Sequence, residues 1–529
     1  MLSDSGKSLT RGVSILSIAG ILCKLLGLLF TIPLTRTIGS EGLGIFQSVY
    51  PTYNLLLTLS SAGLPVAVSR MVSSYLAKDD PRNAHRVFKT ALWLLTALGS
   101  IFMFMMLGGT DLLTEWVKEP RASLGFIAIA PCLPIVCALS AFRGFMQGQQ
   151  DMKPTALSQI VEQVGKLVFS LPLALLGART SLAYGAAGAL LGITISEAIA
   201  TLSVCILYFR RRSSFVRPQL SGDSPISSKA LSFRLFAISV PITVSACIVP
   251  LAQFVDSVMM VPRMMISGLA YDEARSLYGV FSGLVIRLIN IPTALALAVA
   301  MSLVPAVSAA QALHDQRKMQ DACNQGLKMA FLIGFPCSIG MSVLAKEIFA
   351  FLYYESLSPE HFQTGWELLT VSSLTVVLFT VVQATSGILQ GLGKQRIPMY
   401  TLIAGVSFKI IMNYILVGIP NVNIHGGPYA SIVCYTVSLV PNLYYVCKYA
   451  RISFDFKEWI LLPAIATAFM GLSIWVVRSL LPIHRVCTVV EVGIGVFVYF
   501  LAALKLKILD ADDLNSILRK LIHRRKKST

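Results

Sequence analysis

Charged residues are scarce in this chain. Asp, Glu, Lys and Arg make up only 13% of its 529 residues, and 55% of the residues are hydrophobic. Soluble domains carry about 25% charged residues. The shortage of charge therefore excludes a sizeable soluble catalytic domain.

The patterns that bind metals, nucleotides and redox partners are missing as well. The ten cysteines include no CxxC pair and the six histidines are scattered without metal-ligand spacing. Gly6-Lys7-Ser8 resembles the end of a phosphate-binding loop, but Met1 stands where its first glycine is required. We expect no cofactor, no metal ion and no ATP site.

Long apolar stretches take the place of these motifs. Runs of about 20 apolar residues, the length that crosses a bilayer, recur about fourteen times between residues 12 and 504. Lys7 and Arg11 precede a first run that is too long for a cleavable signal, so we interpret it as an uncleaved anchor. The sequence predicts an all-α polytopic membrane protein.

Positive charge is distributed unevenly between the segments that connect these runs. The chain has 44 Lys and Arg against 26 Asp and Glu. Most of the basic residues lie in connecting segments that are predicted to be on the same side of the membrane as the N-terminus. The segments 110–121 and 346–367, which are predicted to lie on the opposite side of the membrane, are richer in acidic residues. The positive-inside rule then predicts an even number of spans with both termini cytoplasmic. The net charge of +18 is therefore explained mainly by the basic residues of the predicted cytoplasmic segments, and no nucleic-acid partner is expected.

An internal repeat divides the chain into two halves. The pattern Gly-x-x-Gln-Gly at residues 144–148 recurs at 387–391, and at the same offset Lys166 falls on Lys409. Two shorter matches keep the same order along the chain. Residues 43–46 match 278–281, and Gly185 and Ala189 match Gly426 and Ala430. Six spans separate equivalent positions, so the repeats share one orientation. This predicts two six-helix lobes related by a pseudo-two-fold axis along the membrane normal.

The predicted organisation has five parts. They are an N-terminal lobe with spans 1–6 (residues 1–208), a polar cytoplasmic linker (209–234), a C-terminal lobe with spans 7–12 (235–450), two additional spans (451–504) and a tail (505–529). The tail places its apolar residues on one helical face and ends in basic residues, which predicts an amphipathic helix on the lipids of the inner leaflet. A solvated tail is the alternative.

Five cations lie inside or at the rim of the apolar stretches: Lys24, Arg70, Lys166, Arg287 and Lys409. A charge at membrane depth costs about 2.5–3.5 kcal/mol or more, so it normally faces a protein interior or a wet cavity. Several such cations favour a pathway for an anion, and a lipid-linked diphosphate fits because arginine binds phosphate in a bidentate manner. Snorkelling to the cytoplasmic surface is the alternative for Arg70, which lies at the rim.

Four acids also fall within or near the ends of spans: Glu162, Glu197, Asp256 and Glu491. Glu162 and Lys166 are four residues apart, the favourable order for an ion pair on one helical face. Glu162, Glu197 and Asp256 are candidates for ion coupling or for structural pairing. Asp256 and Glu491 lie near outer ends.

Three motifs in the first half of the chain are distinctive together. Residues 143–163 read Arg-Gly-x-x-Gln-Gly-x-x-x-Met-x-Pro-x-Ala-x-Ser-Gln-x-x-Glu-Gln. Residues 38–44 read Ile-Gly-x-Glu-Gly-x-Gly, and residues 63–69 read Gly-Leu-Pro-Val-Ala-Val-Ser. These motifs resemble the stage V sporulation protein B family, within the multidrug/oligosaccharidyl-lipid/polysaccharide exporter superfamily, and the similarity runs from about residue 10 to 450. It implies fourteen helices, two lobes around a central cavity, and alternating access.

The lipid II flippases of this superfamily have a similar eighth span. Arg287-Leu288-x-x-x-Pro292 resembles their arginine-bearing helix, which implies that Arg287 faces a substrate cavity. Lys24 stands where their first helix has an arginine, and Phe30 and Thr31 stand where it has a second arginine and an acid. The resemblance implies a flippase for a lipid-linked saccharide, with a possible coupling cation and envelope-biosynthesis proteins as partners.

Two other functions stay open. A cation-coupled drug exporter of the same superfamily would need acids in its cavity, whereas cations slightly outnumber acids within these spans. A membrane glycan polymerase or ligase would need a catalytic acid or base on a substantial outer loop. The longest outer segment, 346–366, is short but carries Glu347, Glu355, Glu360 and His361.

Overall fold

The computed structural model describes residues 2–215, 226–480, 485–506 and 508. Within these ranges every regular element is helical, and 13 segments are long and apolar enough to cross a membrane. The first of them, Leu22–Leu76, has 55 residues and takes in parts of the first two predicted spans. At 1.5 Å per residue it is long enough for two crossings of a hydrocarbon core about 30 Å thick. The prediction of an all-α polytopic membrane protein is confirmed.

The described chain divides into two compact units. The first comprises the described residues up to Ile291, together with Glu355–His361 and Ile410–Gly427. Its helices are α1 (Leu2–Ser61), α2 (Leu64–Leu76), α3 (Pro81–Gly108), α4 (Thr110–Trp116), α5 (Ser123–Ile129), α6 (Cys132–Gly148), α7 (Lys153–Gly165), α8 (Leu171–Ala178), α9 (Leu182–Phe215), α10 (Ser228–Ile266) and α11 (Tyr271–Tyr278). A 3₁₀ turn spans Pro120–Ala122, and π-helical segments span Lys166–Ser170 and Gly279–Val285.

The second unit comprises Pro292–Tyr354, Phe362–Lys409 and the described residues from Pro428 onward. The remaining helices are α12 (Ile286–Ala312), α13 (Gln316–Val343), α14 (Ala345–Tyr353), α15 (Pro359–Ser372), α16 (Leu374–Gly391), α17 (Arg396–Leu416), α18 (Gly426–Ala450), α19 (Leu462–Leu480) and α20 (Arg485–Lys505). Of these, α12, α15, α17 and α18 contribute residues to both units. The lobes expected at 1–208 and 235–450 stay a prediction. The amphipathic tail falls almost wholly outside the described residues, as do linker residues 216–225.

Polar caps mark where several of these helices begin. The carboxylate of Asp80 accepts a hydrogen bond from the Asn83 backbone N–H at 2.9 Å, and Pro81 occupies the first turn of α3. Ser227 caps α10 in the same way, and Asp315 caps α13. Such side chains satisfy backbone N–H groups that have no partner within the helix. These helices therefore begin at positions that the sequence specifies locally.

Helix α1 bends at Gly39, the glycine of the Ile38-Gly39 motif. Gly39 has φ 67° and ψ −176°, a non-helical conformation that glycine adopts without a steric penalty. The predicted first and second spans are thus joined by a kink in one long helix and not by a loop. The helix axis therefore changes direction at Gly39.

The echo between residues 43–46 and 278–281 corresponds to a close crossing within the first unit. A Cβ atom at Gly44 would lie 2.3 Å from the backbone oxygen of Arg275. A Cβ atom at Gly279 would lie 2.3 Å from the backbone oxygen of Ser40 and 2.6 Å from the nitrogen of Gly44. Real Cβ contacts are never this short. Only glycine allows α1 to pack directly on the π-helical segment after α11.

Replacing Gly279 by alanine should therefore force the two backbones apart. We expect a destabilisation of about 1–3 kcal/mol, the usual range for overpacking a well-packed contact. Gly493 in α20 is the matched control, because a Cβ there meets nothing within 4 Å. G493A should be neutral or slightly stabilising. Unfolding of the purified variants in SDS titrations measures both effects, and equal stability of the two variants would contradict the crossing.

The Gly-x-x-Gln-Gly repeat makes equivalent contacts inside each unit. In the first unit Gly144 packs on Pro65 of α2, and Gly148 packs on Val72. In the second unit Gly387 packs on Ala300 of α12, and Gly391 packs on Val307. In all four cases the ideal Cβ position lies within 3.0 Å of the neighbouring helix. The repeated glycines thus serve close helix packing.

Candidate functional site

A pocket of about 440 Å³ lies within the first unit and holds three of the five predicted cations. Lys24, Lys166 and Arg287 line it, and no acidic side chain is among its lining residues in the described part of the chain. The remaining lining residues are Gly27, Leu28, Phe30, Phe46, Tyr50, Gln163, Ile193, Asn290 and Ile291. The structure thus brings together residues that lie far apart in the sequence.

Arg287 is the second residue of α12 and follows the π-helical segment directly. Its Nη1 donates a hydrogen bond to the hydroxyl of Thr31 on α1, and its guanidinium carbon lies 5.9 Å from the centroid of the Phe46 ring. The Thr31 hydroxyl donates in turn to the backbone oxygen of Gly27 at 2.9 Å. These contacts orient a half-buried guanidinium at the pocket wall.

Lys24 lies on α1 and approaches the same wall. Its Nζ donates to the backbone oxygen of Asn290 at 2.7 Å, two residues before Pro292. Phe30 lines the pocket, and Thr31 lies beside Arg287. Lys24 and Arg287 therefore share one pocket.

Lys166 also lines the pocket and belongs to a buried ion network. Its Nζ lies 2.6 Å from Glu162 Oε1 and 3.6 Å from Glu197 Oε1. Arg143, the first residue of the sequence motif, lies 3.5 Å from Glu162 Oε2. Two cations and two carboxylates balance here. A π-helical segment begins at Lys166, and such segments often occur at functional sites.

The other predicted residues lie elsewhere. Arg70 is exposed on α2, and Lys409 belongs to the second unit; neither lines this pocket. Asp256 is buried in the first unit, and Asn413 Nδ2 donates to its Oδ1 at 2.8 Å. The Oδ1 atom of Asn413 is buried without a hydrogen-bond partner among the described residues.

Sequence reasoning missed a second group of charges: Glu41, Glu119, Arg121 and Arg275. We name it the outer cluster, because the segment with Glu119 and Arg121 is predicted to lie on the outer side. Arg275 Nε lies 3.1 Å from Glu119 Oε2, and both side chains are fully buried. Arg121 lies 2.9 Å from Glu119 and 2.5 Å from Glu41. Arg275 also donates to the hydroxyl of Ser48. The cluster joins α1, the segment before α5 and α11.

The outer cluster fixes the charge of Glu119. Burial alone would raise the pKa of this carboxyl, but the hydrogen bond from Arg121 and the positive charge of Arg275 lower it below its ordinary value of 4.5. Glu119 is thus ionised in the folded protein. Its position in a polar segment that is predicted to lie outside the membrane gave no signal that it would be buried.

The chain is similar to several known proteins. Residues 9–311 match the family model described as polysaccharide biosynthesis protein, and residues 241–415 match the MatE model. The lipid II flippase MurJ of Bacillus subtilis (strain 168) is 26% identical over 497 residues, which cover 89% of each chain. Stage V sporulation protein B of the same organism is 25% identical over 452 residues, covering 85% of this chain and 86% of that one.

The fold also has a solved counterpart. The structure of a lipid II flippase MurJ in an inward closed conformation aligns with a TM-score of 0.70 and 13% sequence identity. The alignment covers 92% of this chain and 97% of that one. The resemblance predicted from residues 38–69 and 143–163 is confirmed.

Proposed function

Because this chain belongs to the polysaccharide biosynthesis protein family, we propose that it is a flippase for a lipid-linked saccharide. The substrate is a polyprenyl-diphosphate-linked sugar unit, such as a peptidoglycan precursor or another cell-envelope saccharide. The protein moves it across the cytoplasmic membrane by alternating access, with both termini on the cytoplasmic side. Envelope-biosynthesis enzymes supply and consume the substrate.

The observation that carries the proposal is the shared pocket of Lys24 and Arg287. A diphosphate needs positive charge and several donors, and a guanidinium supplies both in a planar fork. Lys166 adds less net charge because Glu162 and Glu197 already balance it. Lys24 and Arg287 are therefore the proposed diphosphate ligands, with Lys166 as a positioning residue.

The size of the pocket supports recognition of a head group. Its volume of about 440 Å³ lies within the range of small-ligand sites, about 300–1,000 Å³. A diphosphate and one adjoining sugar fit such a volume, whereas a polyprenyl chain does not. The lipid tail stays in the bilayer. Transport then requires that the pocket bind the head group with different affinity in the inward and outward states.

Ion coupling is proposed at Asp256 and Glu197. Asp256 supplies a buried carboxylate beside the Oδ1 of Asn413, which has no hydrogen-bond partner among the described residues. Oxygen atoms of this kind suit a small cation. Glu162 is assigned to structural pairing, because Lys166 and Arg143 both contact it. Arg70 is assigned to the membrane surface. Lys409 is kept as a candidate ligand for a second stage of the transport cycle.

A reconstituted vesicle assay tests the proposal. Purified protein in lipid vesicles should flip a fluorescent polyprenyl-diphosphate saccharide, and protein-free vesicles should not. The same preparation, or a drug-sensitive host that expresses the chain, reports on export of cationic drugs, the activity of the rival function. Drug export without saccharide flipping would reject the flippase in favour of that rival.

A further inference from the structure

A second pocket lies in the first unit, and we name it the outer pocket because α4 belongs to a segment that is predicted to lie on the outer side. Its volume of about 790 Å³ exceeds that of the pocket with Lys24 and Arg287. Its lining residues come from α4, the turn that follows α4, the end of α10 and the start of α11. The two pockets share no lining residue, so the proposed transport mechanism does not use this one.

Part of the lining of the outer pocket is apolar and exposed. Met265 and Ile266, the last two residues of α10, line the pocket and are 43% and 65% exposed. Leu112 and Trp116 on α4 are about half exposed as well. Tryptophan is enriched where a membrane meets water, and large exposed apolar side chains at the end of a membrane span contact lipid. This part of the pocket therefore suits an acyl chain.

Three charged side chains line the same pocket. Asp111 and Glu115 are four residues apart on α4, so they lie on one face of that helix. Lys118 follows the end of α4. All three are exposed, and none forms an ion pair with another residue in the described part of the chain. Two carboxylates and one ammonium are thus available to a ligand.

The turn that carries Lys118 is held by contacts with α11. Lys118 has φ 52°, in the left-handed region, and its backbone oxygen accepts hydrogen bonds from Arg275 at 2.9 Å and from the Tyr271 hydroxyl at 2.6 Å. The guanidinium carbons of Arg121 and Arg275 lie 5.9 Å and 5.3 Å from the centroid of the Tyr271 ring. The backbone of Lys118 and the ring of Tyr271 are therefore in place before a ligand binds, which lowers the cost of binding.

The hydroxyl groups of the pocket argue against a free sugar. The Thr114 hydroxyl donates to the backbone oxygen of Asp111 at 2.7 Å, and the Tyr271 hydroxyl donates to that of Lys118. Both hydroxyl donors are thus already used within the protein. A sugar would also leave the apolar side chains at the end of α10 without a partner. An amphipathic ligand fits the lining better.

The charges select among lipid head groups. An anionic head group would meet two carboxylates against one lysine. A quaternary ammonium has no hydrogen to donate and is typically bound by several aromatic rings, whereas Tyr271 is the one aromatic residue among the described lining residues. A primary ammonium can donate to both carboxylates, and the phosphate of the same head group can accept from lysine.

We propose that the outer pocket binds a phospholipid of the outer leaflet whose head group carries a primary ammonium, as in phosphatidylethanolamine. Asp111 and Glu115 accept hydrogen bonds from the ammonium, and Lys118 donates to the phosphate. Met265 and Ile266 contact the adjoining acyl chain. The bound lipid bridges α4 and the end of α10 and so stabilises the folded protein. This site is independent of what the protein transports.

Native mass spectrometry of the purified full chain tests the proposal with four lipids that share the same acyl chains. Phosphatidylethanolamine should bind about tenfold more tightly than phosphatidylcholine, because methylation removes charge-assisted hydrogen bonds. The N,N-dimethyl lipid should lie between them, and phosphatidylglycerol should bind more weakly than phosphatidylethanolamine. Soluble glycerophosphoethanolamine should not compete, since it lacks the acyl chains.

Two variants and a control locate the site. D111N/E115Q keeps the shapes of both side chains and should remove the preference for phosphatidylethanolamine over phosphatidylcholine. K118Q should weaken both lipids alike, because both carry the phosphate. E360Q is the matched control: Glu360 is an exposed acid of another outer segment that does not line the pocket, so the wild-type ranking should persist.

Several results would overturn the proposal. They are equal binding of phosphatidylethanolamine and phosphatidylcholine to the wild type, tighter binding of phosphatidylglycerol, competition by the soluble head group, and an unchanged preference in D111N/E115Q. The lipid series on the wild-type protein needs no variant. Misfolding of a variant therefore leaves that series decisive.

Discussion

Arg287→Ala should strongly reduce flipping of the lipid-linked saccharide while membrane insertion and folding stay normal. The guanidinium lines the pocket that also holds Lys24. In the proposed function it supplies both charge and paired donors to the diphosphate. Truncating one partner of a buried, hydrogen-bonded charge pair costs about 2–5 kcal/mol, and every 1.4 kcal/mol is about tenfold. We expect the rate in the vesicle assay to fall by roughly 30-fold to several thousand-fold.

Two variants make this result specific. Arg287→Lys keeps the charge but loses the fork, so it should restore only part of the activity. Arg179→Ala removes an exposed arginine between α8 and α9 that does not line the pocket, and it should leave the rate unchanged. Full activity of Arg287→Ala, in vesicles or in a flippase-depleted cell, would remove Arg287 from the binding site.

Much of this site could be predicted from the sequence. A cation in a long apolar stretch is costly at membrane depth, so the amino-acid pattern alone singles out Lys24, Lys166 and Arg287. The same pattern also singles out Arg70 and Lys409, which do not line the pocket. The pairing of Lys166 with Glu162 follows from their helical spacing. The contact with Glu197 does not, because it depends on how α7 and α9 pack. Spacing along one helix is local information, whereas contacts between helices are not.

The outer cluster shows the limit of that reasoning. Glu119 and Arg275 lie at or beyond the ends of apolar stretches, where charged residues are common and usually solvated. Their burial results from packing between distant segments. The only local hint near Arg275 was the echo at Gly44 and Gly279, which brings α1 against the backbone beside it. The sequence pattern predicted the glycines but not the ion pair that they enclose.

Glu119→Gln should be among the most destabilising single changes in the first unit. It leaves the fully buried Arg275 without its carboxylate, and breaking a buried ion pair from one side costs about 3–5 kcal/mol. Arg275→Met should cost less than Glu119→Gln, because Glu119 keeps its contact with the guanidinium of Arg121. The double variant should cost less than the sum of the two, since it removes both charges of the pair. Unfolding in SDS titrations measures all three.

An exposed ion pair is the control for the buried pair of Glu119 and Arg275. Arg36 and Glu355 form a pair at 3.4 Å that is about half exposed, so its removal should change stability by only about 0–1 kcal/mol.

The contribution of Glu119 to stability should depend on pH. Because the pKa of Glu119 is lowered on folding, this contribution is complete well above pH 4.5 and is lost as the pH falls below that value. The difference in the free energy of unfolding between wild type and Glu119→Gln should therefore become smaller in acid. If the difference is small at neutral pH, or if it grows in acid, the pair does not hold α11 to the segment before α5.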